Sequence, residues 1–311
     1  MKMLFMGTPE ISATCLKRLI DDKKEVVAVV TREDKPRGRG NVMTPTPVKT
    51  LALEHGIPAY TPSTLRDGEF YRLLSEISPD IIVVVAYGKI LPPEVISYPR
   101  YGCVNLHVSL LPKYRGAAPM QRAIMDGERE TGVTVMYMNE GLDTGDIISS
   151  VAFPITETDD FEAIHDRSAE IGAALLSETV SAIFDGTATR IKQDDSLATY
   201  AKKVEKEDCK IDFTRDAYAV NCGIRGVTPI PGAFAYLNGR MLKICRAGVV
   251  RDVFGAPGEV LSLNASGEGS ITVACGVGGI EIYTVIPEGK GRMSAGDFIR
   301  GRKINVGDVL K

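Results

Sequence analysis

The sequence predicts an α/β chain, a doubly wound and mostly parallel sheet followed by a small β-barrel. Three observations carry that expectation. Short β-branched runs such as Val26–Val30 and Ile81–Val85 alternate with helical periods through the first half. Residues 189–204 are polar and keep no sustained apolar period, the composition of a linker. Beyond them, five short strand patterns are separated by Gly, Asn and Pro turns. The expected division is therefore a first domain over 1–188, a linker over 189–204 and a second domain over 205–311.

In order along the chain, residues 3–6 read as a short buried strand, 11–20 as a helix and Val26–Val30 as a second strand, which makes a βαβ opening. Helical spacing returns around 48–55 and 70–77. The unbroken Ile81–Val85 run then suits a central parallel strand buried on both faces, and 102–107 is the next strand. Residues 134–138 and 147–153 read as a strand pair around a loop. Phe161, Ile164, Ile171, Leu175 and Ile183 mark the apolar stripe of a long amphipathic helix. In the second half Thr214 is placed to cap a helix running through Arg225. Residues 233–237, 241–249, 258–263, 270–274 and 280–285 follow as strands, and Ser294 caps a last short helix. Five such strands suggest an oligonucleotide-binding (OB-like) barrel, a form that often holds nucleic acid.

At 311 residues, 44% hydrophobic and 25% charged, the chain suits two globular domains with a sizeable core. No apolar run approaches the ~20 residues of a membrane span and the start lacks signal-peptide anatomy, so a cytoplasmic location is expected. Six cysteines (Cys15, Cys103, Cys209, Cys222, Cys245, Cys275) show no Cys-x-x-Cys spacing. That suits reduced, buried thiols better than disulfides or zinc, and no metal is expected. The net charge of −3 hides an asymmetry: residues 1–201 carry 21 Lys and Arg against 28 Asp and Glu, whereas 202–311 carry 16 against 12. A polyanion would be drawn to the second half, although +4 is also ordinary for a domain of that size.

Asn105 and His107 stand two apart in a strand segment, so period-two alternation puts both side chains on one face. An amide donates hydrogen bonds without competing for a proton, and an imidazole titrates near neutrality. The pair reads as an oxyanion donor beside a general acid/base, or more plainly as a satisfied polar pair in a loop or core. Asp143, in the loop Gly141-Leu142-Asp143-Thr144-Gly145-Asp146, is the carboxylate that would orient the ring. Of three histidines, His55 and His165 fall in helical patterns, which leaves His107 as the candidate. Pro112, Gly116 and Pro119 bracket a polar turn directly after the strand, at the sheet edge where open parallel sheets place their sites.

A dinucleotide site would need Gly-x-Gly-x-x-Gly after the first strand, whereas Gly7-Thr8-Pro9-Glu10-Ile11 offers one glycine. Residues 34–45 form a long connection in which Lys35, Arg37 and Arg39 alternate with two prolines and two glycines. Such a segment is either an open surface loop or a basic arm that orders against a phosphate backbone.

The run from Asn105 to Pro119, the Gly141–Asp146 loop, the opening Phe5-Met6-Gly7-Thr8-Pro9-Glu10 and Val85-Ala86-Tyr87-Gly88-Lys89-Ile90-Leu91-Pro92 together resemble the folate-dependent formyltransferases. Within them the chain is similar to the branch that formylates methionyl-tRNA, over most of its length. The resemblance implies a Rossmann-like catalytic domain with Asn105, His107 and Asp143 as its catalytic set, and a C-terminal OB-like domain that binds tRNA. It implies transfer of the formyl group of 10-formyltetrahydrofolate, without a metal, to the α-amine of methionine on initiator tRNA, by a monomer. It also implies that the 34–45 loop enters at the acceptor end of the tRNA, with Arg39 at the position of the family's key arginine and Lys35 and Arg37 beside it.

A reduced folate needs an apolar slot whose main-chain groups read the pterin edge. Val85, Tyr87, Gly88 and Ile90, after the central strand, offer one. By resemblance Ser109, Leu110, Leu111 and Pro112 border the folate and Leu142 closes over it; as plain sequence, Leu110 and Leu111 also suit a core. Two alternatives stay open. Another amine, an amino sugar or a purine precursor, would use the same three residues, with a chain ending near residue 190 favouring it. A non-catalytic tRNA-binding module would need none of the three. The chain departs from the family in having no tryptophan, with aliphatics near Met125 and in Thr228-Pro229-Ile230-Pro231-Gly232, and in placing Arg37 where a small residue is expected.

Overall fold

The computed structural model describes residues 1–37 and 42–311. The elements run β1 (Met3–Gly7), α1 (Glu10–Asp21), β2 (Val26–Val30), β3 (Lys35–Arg37), β4 (Val42–Thr44), α2 (Pro47–Glu54), β5 (Ala59–Tyr60), α3 (Gly68–Ile77) and β6 (Ile81–Val85). Next come α4 (Pro93–Ile96), β7 (Cys103–His107), β8 (Arg115–Gly116), α5 (Pro119–Met125), β9 (Glu130–Tyr137), β10 (Ile147–Pro154), α6 (Phe161–Phe184) and β11 (Tyr200–Ala201). The chain ends with α7 (Ala217–Gly226), β12 (Ala233–Leu237), β13 (Arg240–Val250), β14 (Val260–Asn264), β15 (Ser270–Ala274), β16 (Gly279–Pro287), β17 (Met293–Ser294) and α8 (Ala295–Arg300).

Two compact units result. The first comprises Met1–Gly116, Gly132–Phe153 and His165–Tyr200. Its seven-stranded sheet has the order β10-β9-β7-β6-β1-β2-β5. The five strands from β7 to β5 run parallel, and β9 is antiparallel to β7. Every residue of β1 and β6 is buried, as expected for central strands covered on both faces, where each apolar side chain withdrawn from water contributes about 2 kcal/mol. Helix α1 lays Ile11, Cys15, Leu16 and Leu19 against the sheet, the spacing of one helical face. Thr46 caps α2 by accepting the Lys49 N–H, with Pro47 at the first helical position, and Asp67 caps α3 by accepting from Phe70. Parallel β6 and β7 end side by side, so the loops that follow them share one edge of the sheet.

The second unit comprises Ala117–Thr131, Pro154–Ile164 and Ala201–Lys311. Its antiparallel sheet has the order β12-β13-β16-β15-β14, with β17 on β16. Residues 307–311 then hydrogen-bond to both edges: Lys311 exchanges bonds with Tyr236, while Leu310 donates to Gly258 O and Val260 to Asp308 O. That tail closes the sheet into a barrel, a strand-like role absent from the sequence reading. The helix α7 is capped by Asp216, which accepts the Ala219 N–H, and not by Thr214, whose hydroxyl donates to Asp212 at 2.6 Å. Ser294 caps α8 as expected. Helix α5 sits so close to α7 that a Cβ at Gly226 would lie 2.5 Å from Met125 Cγ.

The stretch expected as a linker is not a free tether. Ile191 pairs with Ile147 by two main-chain hydrogen bonds, and Gln193 is buried in the first unit. The first unit continues to Tyr200, and two earlier segments, Ala117–Thr131 and Pro154–Ile164, belong to the second.

Candidate active site

Strand β7 delivers Asn105 and His107 to the sheet edge on one face, while Leu106 between them turns away to pack against Gly172 of α6. Asn105 is half-buried and makes no side-chain hydrogen bond among the described residues, leaving its amide open. His107 is 6% exposed; its Nε2 lies 2.9 Å from the Tyr114 carbonyl oxygen and its Nδ1 3.6 Å from Asp143 Oδ2. The carboxylate therefore stands at ion-pair distance, and the ring's hydrogen bond goes to the loop carbonyl. Donation to that carbonyl places a proton on Nε2. Asp143 Oδ2 also accepts the Gly116 N–H at 2.8 Å.

The loop after β7 is tied down from below. Thr134 of β9 donates its hydroxyl to Ser109 O at 2.7 Å and accepts the Leu111 N–H at 3.3 Å. Ser109 donates to Lys113 O, and the Leu111-Pro112 peptide is cis. Tyr114 has φ 58° and donates its N–H to Thr199 Oγ1 at 2.8 Å, an arrangement that turns its carbonyl toward His107.

Asp143 also lies in the left-handed region, φ 52°, in a loop fastened at several points. Asn139 accepts from the Gly141 N–H and the Thr144 hydroxyl. Gly145 is obligatory, since a Cβ there would fall 1.6 Å from Tyr137 O. Gln193 donates to Asp143 O at 2.9 Å and Gly145 O at 2.7 Å. The Gln193 oxygen accepts from Arg115 Nε and Nη2, and Arg115, 2% exposed, also reaches Asp195 at 2.7 Å. Sequence reasoning missed Thr134, Thr199 and Gln193 and gave Arg115 no role; in a turn that also carries Lys113 and Tyr114, nothing in the sequence marks Arg115 as the buried one.

The candidate folate residues divide. Gly88, Ile90 (84% exposed) and Leu142 (61%) are open to solvent, Leu142 next to Asp143. Leu110 and Pro112 are half-buried, and Leu110 packs where Gly132 of β9 leaves room. Ser109, Leu111 and Val85 are buried. The Tyr87 ring belongs to the core beneath the edge, with Phe70, Leu74 and Val95, so its place in the expected slot rests on its main chain. Burial pushes its phenol up to about 12, against the pull of Arg32, and the hydroxyl has no partner among the described residues. On β7, burial likewise raises the Cys103 thiol well above its ordinary range, which keeps it neutral.

Gly7, the lone glycine of the first turn, serves packing. A Cβ there would meet Ser12 Cβ at 2.7 Å, and Ser12 donates to Val85 O. Of the basic residues, Lys35 and the Arg37 backbone form one strand of the β3–β4 ribbon, while Arg39 and the Arg37 side chain lie outside the described residues.

The sequence profile of formyl transferases matches residues 1–180, and that of the formyl transferase C-terminal domain matches 203–303. The methionyl-tRNA formyltransferase of Citrifermentans bemidjiense is 46% identical over 310 residues, covering 100% of this chain and 96% of that protein. The enzyme of the same name from Geotalea uraniireducens is 44% identical, covering 100% and 98%. Among solved structures, an N-formyltransferase from Helicobacter canadensis in complex with folinic acid and dTDP-3-aminofucose superposes with a TM-score of 0.69 at 19% identity, covering 91% of this chain and 98% of that one.

Proposed function

The chain belongs to the formyl transferase family, and we propose that it moves the formyl group of 10-formyltetrahydrofolate to the α-amino group of methionine on initiator tRNA, for translation initiation. The acceptor rests on relatives of that name matched along their whole length. An amino-sugar acceptor is not favoured, because the sugar-linked neighbour shares the fold at low identity. The chemistry rests on one observation: the Asn105 amide, without a side-chain hydrogen bond among the described residues, shares a strand face with His107, whose ring faces Asp143 at 3.6 Å.

The folate co-substrate supplies an activated formyl group. The residues present suit it: a pterin has apolar faces and a polar rim, and two large apolar side chains are left open, Leu142 next to Asp143 and Ile90 in the loop after β6. An α-amine has a reference pKa of roughly 7.7–8.0, so much of it is already a neutral nucleophile near pH 7–8. Asn105 donates to the formyl oxygen as charge builds there, and doubly protonated His107 adds a cation; one such donor is typically worth roughly 10²–10³ in rate. His107 then gives a proton to the departing folate nitrogen. Asp143 steadies the charged ring and receives the proton of the new amide through water. Lys35, Arg37 and Arg39 meet the phosphates of the acceptor end, and the more basic C-terminal half adds attraction for the tRNA. The enzyme works as a cytoplasmic monomer.

Purified protein incubated with formyl-labelled folate and a panel of amines tests this directly. Label is expected on initiator methionyl-tRNA and not on a nucleotide-linked amino sugar or a purine precursor; the opposite preference, or no transfer, contradicts it.

A further inference from the structure

We propose that Gln193 is a positioning residue for the formyl-transfer reaction, a clamp that sets where the Asp143 carboxylate stands. The inference rests on the role given to Asp143 above. Four features support it.

First, one side-chain amide spends both N–H groups on main-chain carbonyls two residues apart, Asp143 O at 2.9 Å and Gly145 O at 2.7 Å, and so brackets the carboxylate-bearing residue. Second, its orientation is unambiguous. Its oxygen accepts two hydrogen bonds from Arg115, at 3.1 and 2.8 Å, so the NH₂ end must face the loop. Third, the bracketed residue sits at φ 52°, a conformation that a non-glycine residue holds only when its surroundings over-determine it. Fourth, the clamp is buried: Gln193 is 6% and Arg115 2% exposed, so these bonds form where an unmade one is costly. Arg115 and Gly116 are adjacent, and the Gly116 N–H holds the Asp143 carboxylate itself. One side of the loop is thus fixed through Gln193 and the other through Gly116, both from the same two-residue strand. A displacement of about 1 Å at a catalytic group costs on the order of 10²-fold in rate.

Gln193→Met keeps the volume and removes all the hydrogen bonds; Gln193→Glu keeps an acceptor for Arg115 but points oxygen at two carbonyl oxygens. With methionyl-tRNA and formyl-folate, kcat is expected to fall about 10- to 100-fold while the KM for tRNA stays within about twofold, since the clamp touches neither substrate. A second readout needs no substrate. The three histidine rings are separable by ¹⁵N NMR, and the His107 resonances are expected to move in both variants while those of His55 and His165 stay. Unchanged His107 resonances with full kcat in a folded variant would overturn the proposal, as would activity lost only in proportion to unfolded protein. If wild-type enzyme formylates nothing, the function assigned above fails and this role falls with it; if wild type is active and the variants equal it, only the clamp fails.

Discussion

Asn105 and Gln193 are both amides, yet only one could be found from sequence. Asn105 was visible because its partner is two residues away on a strand, and alternation alone puts them on one face. Gln193 was invisible because its partners are main-chain carbonyls some fifty positions earlier, which leave no side-chain pattern. Asp143 was visible as a carboxylate in a glycine-flanked loop, but its 3.6 Å stand-off from His107 Nδ1 and the Tyr114 carbonyl at Nε2 belong to backbone geometry. Tyr87 shows what sequence leaves open: an aromatic after a central strand suits a ligand slot or a core, and its ring goes to the core. Since its hydroxyl is buried without a partner among the described residues, Tyr87→Phe removes a desolvation cost. Thermal unfolding is expected to show the variant at least as stable as wild type, by up to about 1 kcal/mol; a loss above that size would mean the hydroxyl is engaged.

At the scale of elements, the strands most accurately read were the apolar β-branched runs Val26–Val30 and Ile81–Val85, together with β12 and β15 of the barrel. Residues 307–311 escaped because five residues with one adjacent apolar pair, Val309 and Leu310, are too short to show a period; their strand-like role comes from the edges of β12 and β14 on either side. The α5 helix is held to the second unit by Arg122, which donates to Lys202 O, Lys203 O and Asp208 Oδ2, the last at 2.6 Å. Hydrogen bonds from Arg122 and from the Glu205 N–H keep the Asp208 carboxyl below its ordinary 3.8. A depressed carboxyl stabilises the fold fully above its unfolded pKa and loses that contribution as pH falls through the folded value. Asp208→Asn is therefore expected to lower the melting temperature at pH 7, with the gap to wild type closing below pH 4. A gap that persists unchanged to pH 2.5 would assign the effect to packing instead.

At the scale of the whole molecule, fold class was legible, while the discontinuous make-up of the second unit was not. Residues 117–131 and 154–164 pack with the C-terminal unit, a discontinuity that no local composition records. A chain truncated after Tyr200 keeps α5 but loses α7, the helix against which Gly226 lets Met125 pack. It is expected to aggregate or to melt well below the full chain; a soluble fragment with an unchanged melting temperature would show that the first unit stands alone. Charge follows the same division, the acidic excess lying before residue 202 and the basic excess after it. A tRNA-binding surface built mainly on phosphate attraction does not depend on the imidazole at the sheet edge. The most direct measurement therefore compares His107→Ala with wild type, in formyl transfer to initiator methionyl-tRNA and in affinity for that tRNA. Transfer is expected to fall by at least about 10³-fold, with affinity kept within about twofold. Transfer that survives, or transfer and affinity lost together, would contradict the assignment of the chemistry to this strand.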